Sequence, residues 1–187
     1  MKKWKEIFSY DFYRYYSKKY KASYYFLMPR QLKIIYWFRI FQNTTGLRKK
    51  IAQFIFSIKK KRNNNDIDKN THIGHGLFLS HSGGRYISED ACLGNNVSVY
   101  QNVTIGAEFR GSRKGSPTIG NKVFIGPNSV IVGKIFIGDD VLIAPNSFVN
   151  FSIPSYSIVV GNPAVVKKTE NATRGYLKPI MEDLNLK

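Results

Sequence analysis

The chain has 187 residues, 43% of them hydrophobic, and a formal net charge of +17. That length suits one domain with a real core and a small appendage, and the apolar content excludes global disorder. The charge is uneven: residues 1–70 hold 18 Lys/Arg against 4 Asp/Glu, while residues 71–187 hold 11 against 8. The basic character belongs to the N-terminal third, which suits phosphate or an anionic surface.

Residues 1–65 form the first segment, basic and aromatic. Met1–Glu6 is not followed by a continuous apolar run, so it does not read as a secretion signal. Tyr10, Phe12, Tyr13, Tyr15, Tyr16, Tyr20, Tyr24, Tyr25 and Phe26 crowd the stretch that Pro29 breaks. From Gln31 to about Lys61, Ile34, Ile35, Trp37, Phe38, Ile40, Phe41, Ile51, Phe54, Ile55 and Ile58 recur at three- and four-residue spacings. They predict two amphipathic helices split near Asn43–Gly46. Arg30, Lys33, Arg39, Arg48, Lys49, Lys50 and Lys59–Arg62 flank them. Two readings fit: a helical cap with a solvated basic face, or a segment lying on an anionic membrane, where aromatic and basic side chains suit the interface. No nucleic-acid motif accompanies the basic residues, so nucleic acid is not an expected partner. No apolar stretch reaches the roughly 18 residues of a membrane span. Asn63–Asn65 reads as a linker.

Residues 66–168 follow a period of six. Ile119, Ile125, Ile131, Ile137, Ile143 and Val149 stand at one unbroken step, and Ile87, Leu93, Val99 and Ile105 form an upstream series. Glycine often follows the aliphatic, and a small or β-branched residue often sits four places on: Ala91, Val97, Val103, Val123, Ser129, Val141 and Ser147. Six residues make one short strand and a turn, and three such units make a triangular coil with both marked positions inward. Each coil bonds to its neighbours, so the repeat stands only as a stack. The predicted fold is a left-handed parallel β-helix with an all-β core and a short N-terminal α-helical segment. Two steps break the count. Leu79 to Ile87 is eight, two more than six; Ile105 to Ile119 is fourteen, two more than twelve. The second break lacks a core pattern and reads as a loop extruded at about residues 106–118. Residues 169–187 are left as a C-terminal tail.

Cys92 is the single cysteine, so no intrachain disulfide can form, which suits a reducing compartment. It precedes the inward Leu93 and is expected to face out. His72, His75 and His81 raise a metal reading, but His75 and His81 are six apart and fall on successive faces, so no metal is expected. The expected location is the cytoplasm, with a possible peripheral place at the inner face of the membrane.

Several stretches together resemble a known family: Leu79-Ser80-His81-Ser82-Gly83-Gly84, Val99-Tyr100-Gln101-Asn102-Val103-Thr104-Ile105-Gly106, the extruded loop, and Gly161-Asn162-Pro163-Ala164. They look like hexapeptide-repeat acyltransferases of the serine acetyltransferase type, from about Asp66 to Lys168. The resemblance implies a His–Asp dyad in which His81 deprotonates an acceptor hydroxyl and Asp66 orients it; Asp68, two residues on, is the alternative partner. Imidazole is the side chain poised to take that proton near neutrality. The resemblance also implies acetyl-CoA as co-substrate, a homotrimer, and cofactor contacts at Ala107, Gly126, Pro127, Ala144 and Pro145. Lys167 and Lys168 are candidates for the CoA phosphates. Ser80 and Ser116 occupy the substrate-binding positions. There the sequence departs from the family pattern: Ser80 replaces the Asp before the dyad His, and Gly115-Ser116 replace Arg-His before Pro117. These departures, and the short basic N-terminal segment, set the expectation nearer to polysaccharide O-acetyltransferase-like members. A carbohydrate hydroxyl is then the acceptor, in surface or capsular polysaccharide synthesis. A serine O-acetyltransferase of cysteine biosynthesis is the alternative, and a non-catalytic membrane-associated scaffold a further one.

Overall fold

A computed structural model describes residues 3–181. Three helices precede the repeat: α1 (Lys3–Tyr16), α2 (Arg30–Gln42) and α3 (Gly46–Arg62), with a 3-10 turn at Ala22–Leu27. The α2–α3 break falls where Asn43–Gly46 predicts it. Helix α1 is not among the predicted elements, although it buries Trp4, Phe8 and Phe12 at a four-residue step.

From Asn65 the chain winds into a parallel β-solenoid with three faces. Face A stacks β1 (Asn65–Ile67), β4 (Arg85–Ile87), β7 (Val103–Gly106), β10 (Val130–Val132) and β13 (Phe148–Val149). Face B stacks β2 (His72–Ile73), β5 (Cys92–Leu93), β8 (Thr118–Ile119) and β11 (Phe136–Ile137). Face C stacks β3 (Phe78–Leu79), β6 (Ser98–Val99), β9 (Phe124–Ile125), β12 (Val141–Ile143) and β14 (Ser157–Val160), closed by the antiparallel β15 (Val165–Lys168).

The hexad arithmetic holds in the register. Ile87 pairs with Ile105, Ile119 with Ile137, and Ile125 with Ile143, each eighteen residues apart. Both marked series point into the coil and are buried, including Ser129 and Ser147, whose hydroxyls donate to the Ala144 carbonyl at 2.9 and 2.7 Å. Replacing Ile131, fully buried between Ile105 and Val149, with Val should cost about 1 kcal/mol in urea unfolding, because one methylene leaves a close-packed stack.

One count is corrected. Ile105 and Ile119 lie on successive faces A and B, so fourteen residues stand where a hexad needs six. The extra length is a hairpin-like loop: Glu108 and Gly115 exchange backbone hydrogen bonds at 2.9 Å each, and Phe109 at its outer end is exposed.

The first coil has an open end, with unpaired strand edges. The helices cover it. Asp11 of α1 accepts from the Leu77 amide at 2.8 Å, and the Tyr15 hydroxyl donates to the Leu79 carbonyl at 2.8 Å while accepting from its amide at 2.9 Å. Burial pushes the Tyr15 phenol above its ordinary value. Arg39, expected on the solvated basic face, is buried: it pairs with Asp11 at 2.8 Å and donates to the Ile73 carbonyl at 2.6 Å. A buried cation needs such partners. Asn65, expected in a linker, is the buried first residue of β1. Past β15, residues 169–181 fold back onto face C, where Asp140 accepts from the Ala172 and Thr173 amides at 3.0 and 3.1 Å. The rest of the expected tail, residues 182–187, lies outside the described residues.

Candidate active site

The two extra residues between Leu79 and Ile87 bulge the corner from face C to face A, and His81 sits on that bulge. Its φ is +58°, a left-handed conformation in which His is enriched among side-chain residues. It is exposed, with its ring edge-on to Tyr100 at 6.1 Å between centroids.

Arg85 holds this turn from inside. It occupies the inward slot of β4, in register with Val103, and is fully buried. Its guanidinium donates to the Val99, Gly83 and His81 carbonyls at 3.1 Å each, to the Ser80 carbonyl, and to Asn65 Oδ1 at 3.2 Å. Burial lowers its pKa to about 10, so it remains a cation at neutral pH. Sequence reasoning missed it. The available signal was its place two residues before Ile87, where the repeat puts a small or β-branched side chain.

Asp66 faces outward on β1, in register with Tyr86. Its carboxylate accepts from Lys60 Nζ at 3.1 Å, and among the described residues no hydrogen bond joins it to His81. Asp68 is committed elsewhere: its Oδ1 accepts from the Asn70 amide at 2.8 Å, closing the turn toward face B. His72 is exposed on face B and His75 packs against Tyr10 at 4.3 Å; the two line one cavity, of which His81 is not part. Cys92 is half-buried beside the inward Leu93.

The expected cofactor residues separate into groups. Gly126-Pro127 and Ala144-Pro145 lie on the same corner as His81. A hydrogen-bond ladder runs along it: Asn102 amide to Gly84 carbonyl at 2.6 Å, Asn128 to Gln101 at 3.0 Å, Asn146 to Pro127 at 3.0 Å. At the spacing of stacked strands, three steps carry the corner about 14 Å from His81 to Ala144. Ala107 leaves the opposite edge of face A, at the start of the loop. Lys167 and Lys168 are exposed on β15, opposite Ile158 and Ser157.

Ser80 is 6% exposed, its carbonyl held by Arg85 and its amide donating to Val99 at 3.1 Å. Ser116 Oγ lies 3.0 Å from Ser88 Oγ.

The bacterial transferase hexapeptide (six repeats) family matches residues 116–150. A serine acetyltransferase of Staphylococcus epidermidis is 40% identical over 110 residues, which are 59% of this chain and 52% of that protein. The Neisseria gonorrhoeae serine acetyltransferase in complex with serine superposes with a TM-score of 0.67 and 31% identity, over 88% of this chain and 68% of that one. The chain belongs to the hexapeptide-repeat acyltransferases of the serine acetyltransferase type. A further solved serine acetyltransferase, in complex with CoA, superposes with a TM-score of 0.69 at 27% identity, over 87% of this chain and 68% of that one. The chain spans about half the length of the Staphylococcus relative.

These relatives overturn the expected carbohydrate acceptor and, with it, the place nearest polysaccharide-type members. That expectation leaned on Ser80 and Ser116. In the structure Ser80 is nearly buried and Ser116 pairs with Ser88. The relatives are serine acetyltransferases, and the Neisseria gonorrhoeae enzyme is solved in complex with serine.

Proposed function

We propose that the chain is an acetyl-CoA-dependent serine O-acetyltransferase with His81 as general base. The observation that carries this reading is the left-handed turn holding His81 at the solvent edge, in one file with the Gly126-Pro127 and Ala144-Pro145 turns. The serine hydroxyl gives its proton to neutral His81 as its oxygen attacks the thioester carbonyl carbon. The tetrahedral intermediate collapses, the C–S bond breaks, and the proton passes from the imidazolium to the departing sulfur. O-acetylserine and CoA are the products. Asp66 is assigned the imidazolium as its partner, in exchange for Lys60.

Acetyl-CoA is assigned to the exposed corner turns, with Ala107 and the phosphate-facing Lys167 and Lys168 completing its contacts. Because Ala107 and the corner turns stand on opposite edges of face A, a groove between neighbouring copies would gather both, which supports a homotrimer. The proposed location is the cytoplasm, with residues 1–62 in peripheral contact with the inner face of the membrane.

The test is serine-dependent release of free CoA from acetyl-CoA. Release with serine is the expected result; bound acetyl-CoA without release on adding serine would overturn the acceptor. A chain that neither binds nor turns over acetyl-CoA would be a non-catalytic scaffold. Within the active enzyme, Asp66→Asn should lower kcat roughly 10²-fold, the low end of what one positioned proton-transfer group contributes. Asp68→Asn should leave kcat near the parent value, and the reverse pattern would move the partner role to Asp68.

A further inference from the structure

Helix α3 presents its apolar stripe to solvent. Leu47, Ile51, Phe54 and Ile58 recur at helical spacing and share one face. Leu47 is 74% exposed and Phe54 67% exposed. The opposite face is the one buried, through Ala52 and Phe56, with Phe56 against Phe38 at 5.3 Å. A helix that only capped the solenoid would turn its large apolar side chains inward; α3 turns the small Ala52 and a single Phe inward and four large ones out. Lys50 and Lys61 border the stripe on one side, Arg48 and Arg62 on the other.

Beside the stripe, a groove of about 380 Å³ opens between the start of α2 and the end of α3, lined by Arg30, Lys33, Ile55, Ile58, Lys59 and Arg62. Burial and the neighbouring charges of Lys33 and Arg62 lower the Lys59 pKa, so this groove is short of an anion. Lys33 Nζ donates to the Phe26 carbonyl at 3.2 Å, which sets the exposed Phe26 next to the same groove. From Arg30 to Arg62 the sequence holds ten Lys/Arg and no Asp or Glu.

We infer that the outer face of α3 docks on an anionic phospholipid bilayer, with Leu47, Ile51, Phe54 and Ile58 entering the interface and the Arg30–Lys33–Lys59–Arg62 groove taking a lipid phosphate. The inference rests on the peripheral placement proposed for residues 1–62 and is independent of the acetyl-transfer chemistry. Charge selects this occupant. A second copy packed face to face on the stripe would set Lys50 and Lys61 against their own equivalents, whereas an anionic leaflet neutralises every bordering cation and accepts the apolar side chains between them.

The experiment is co-sedimentation of the full chain with phosphatidylcholine vesicles, with and without phosphatidylglycerol. The expected result is binding that needs phosphatidylglycerol and weakens with added salt. Leu47→Gln with Phe54→Gln should lower the partition coefficient about tenfold or more. A second variant, Lys33→Gln with Lys59→Gln, should weaken binding to phosphatidylglycerol vesicles while keeping the stripe. None of the four residues is assigned to the acetyl-transfer site, so CoA release in solution should match the parent, which also shows that the variants fold. Parent binding that both variants retain in full would overturn the docking face and leave the peripheral placement standing. No parent binding at low salt would overturn both. A parent that assembles further in solution, reversed by the Gln pair at the stripe, would assign the face to a second copy and overturn the bilayer.

Discussion

Replacing His81 with Asn is expected to lower kcat for serine-dependent CoA release by about 10²–10⁴-fold, the range that one positioned general base contributes. Asn is the informative choice because it tolerates the left-handed backbone that His81 adopts, whereas Ala adds strain there. The side chain is exposed and among the described residues makes no hydrogen bond, so the unfolding midpoint should stay within a degree or two of the parent. Steady-state kinetics beside a thermal melt separate the two effects. Parent-like turnover in a folded variant would remove His81 from the mechanism, and with it the central role of the face C to face A corner.

Replacing Arg85 with Leu is expected to destabilise the protein by about 3 kcal/mol. Two terms oppose each other. Removing a buried cation, whose pKa burial has already lowered to about 10, relieves a desolvation cost. Against that, the Ser80, His81 and Gly83 carbonyls and Asn65 Oδ1 lose a donor, while the Val99 carbonyl keeps the Ser80 amide. Stranded acceptors cost about 1–3 kcal/mol each, and several acting together outweigh the relief. Urea unfolding measures the net. The same change frees the Ser80–Gly83 turn, so turnover of the folded fraction should fall through kcat more than KM, a split that a purely structural role would not give. Lys at this position should rescue little, because one ammonium cannot reach carbonyls on both sides of the turn as a planar guanidinium does. A Leu variant as stable and as active as the parent would sink the clamp.

Much of the solenoid is legible in the sequence because its rule is local. Each inward side chain must fill the same narrow coil, so the aliphatic step survives wherever the coil does, from Ile87 through Val149. The break at His81 reads correctly for the same reason, since two added residues have only a corner to occupy. The second break misled the count: fourteen residues fit two hexads plus two as easily as one hexad plus eight, and only the pairing of Ile119 with Leu93 and Ile137 decides between them. The acceptor is not legible there, because Ser80 and Gly115-Ser116 show only which family residues are missing, and it is the serine acetyltransferase relatives that overturn a carbohydrate.

The repeat, its three-faced coil, the corner histidine and the extruded loop follow from the sequence by itself, because close packing at a fixed axial spacing permits few side chains at each inward slot. Long-range geometry decided the rest. Arg39 reads as a surface cation, yet the end of the solenoid takes it as the donor to the Ile73 carbonyl, and Arg14, which the sequence does not single out, donates to the Gly76 carbonyl; each reaches more than thirty residues along the chain. Asp66 reads as the partner of His81, yet in the folded chain its carboxylate is bound by Lys60. The stripe on α3 has the same helical period whether it faces inward or outward. Its direction depends on which face meets Phe38, and only the packed structure settles that, because periodicity records which side chains share a face and not what that face touches.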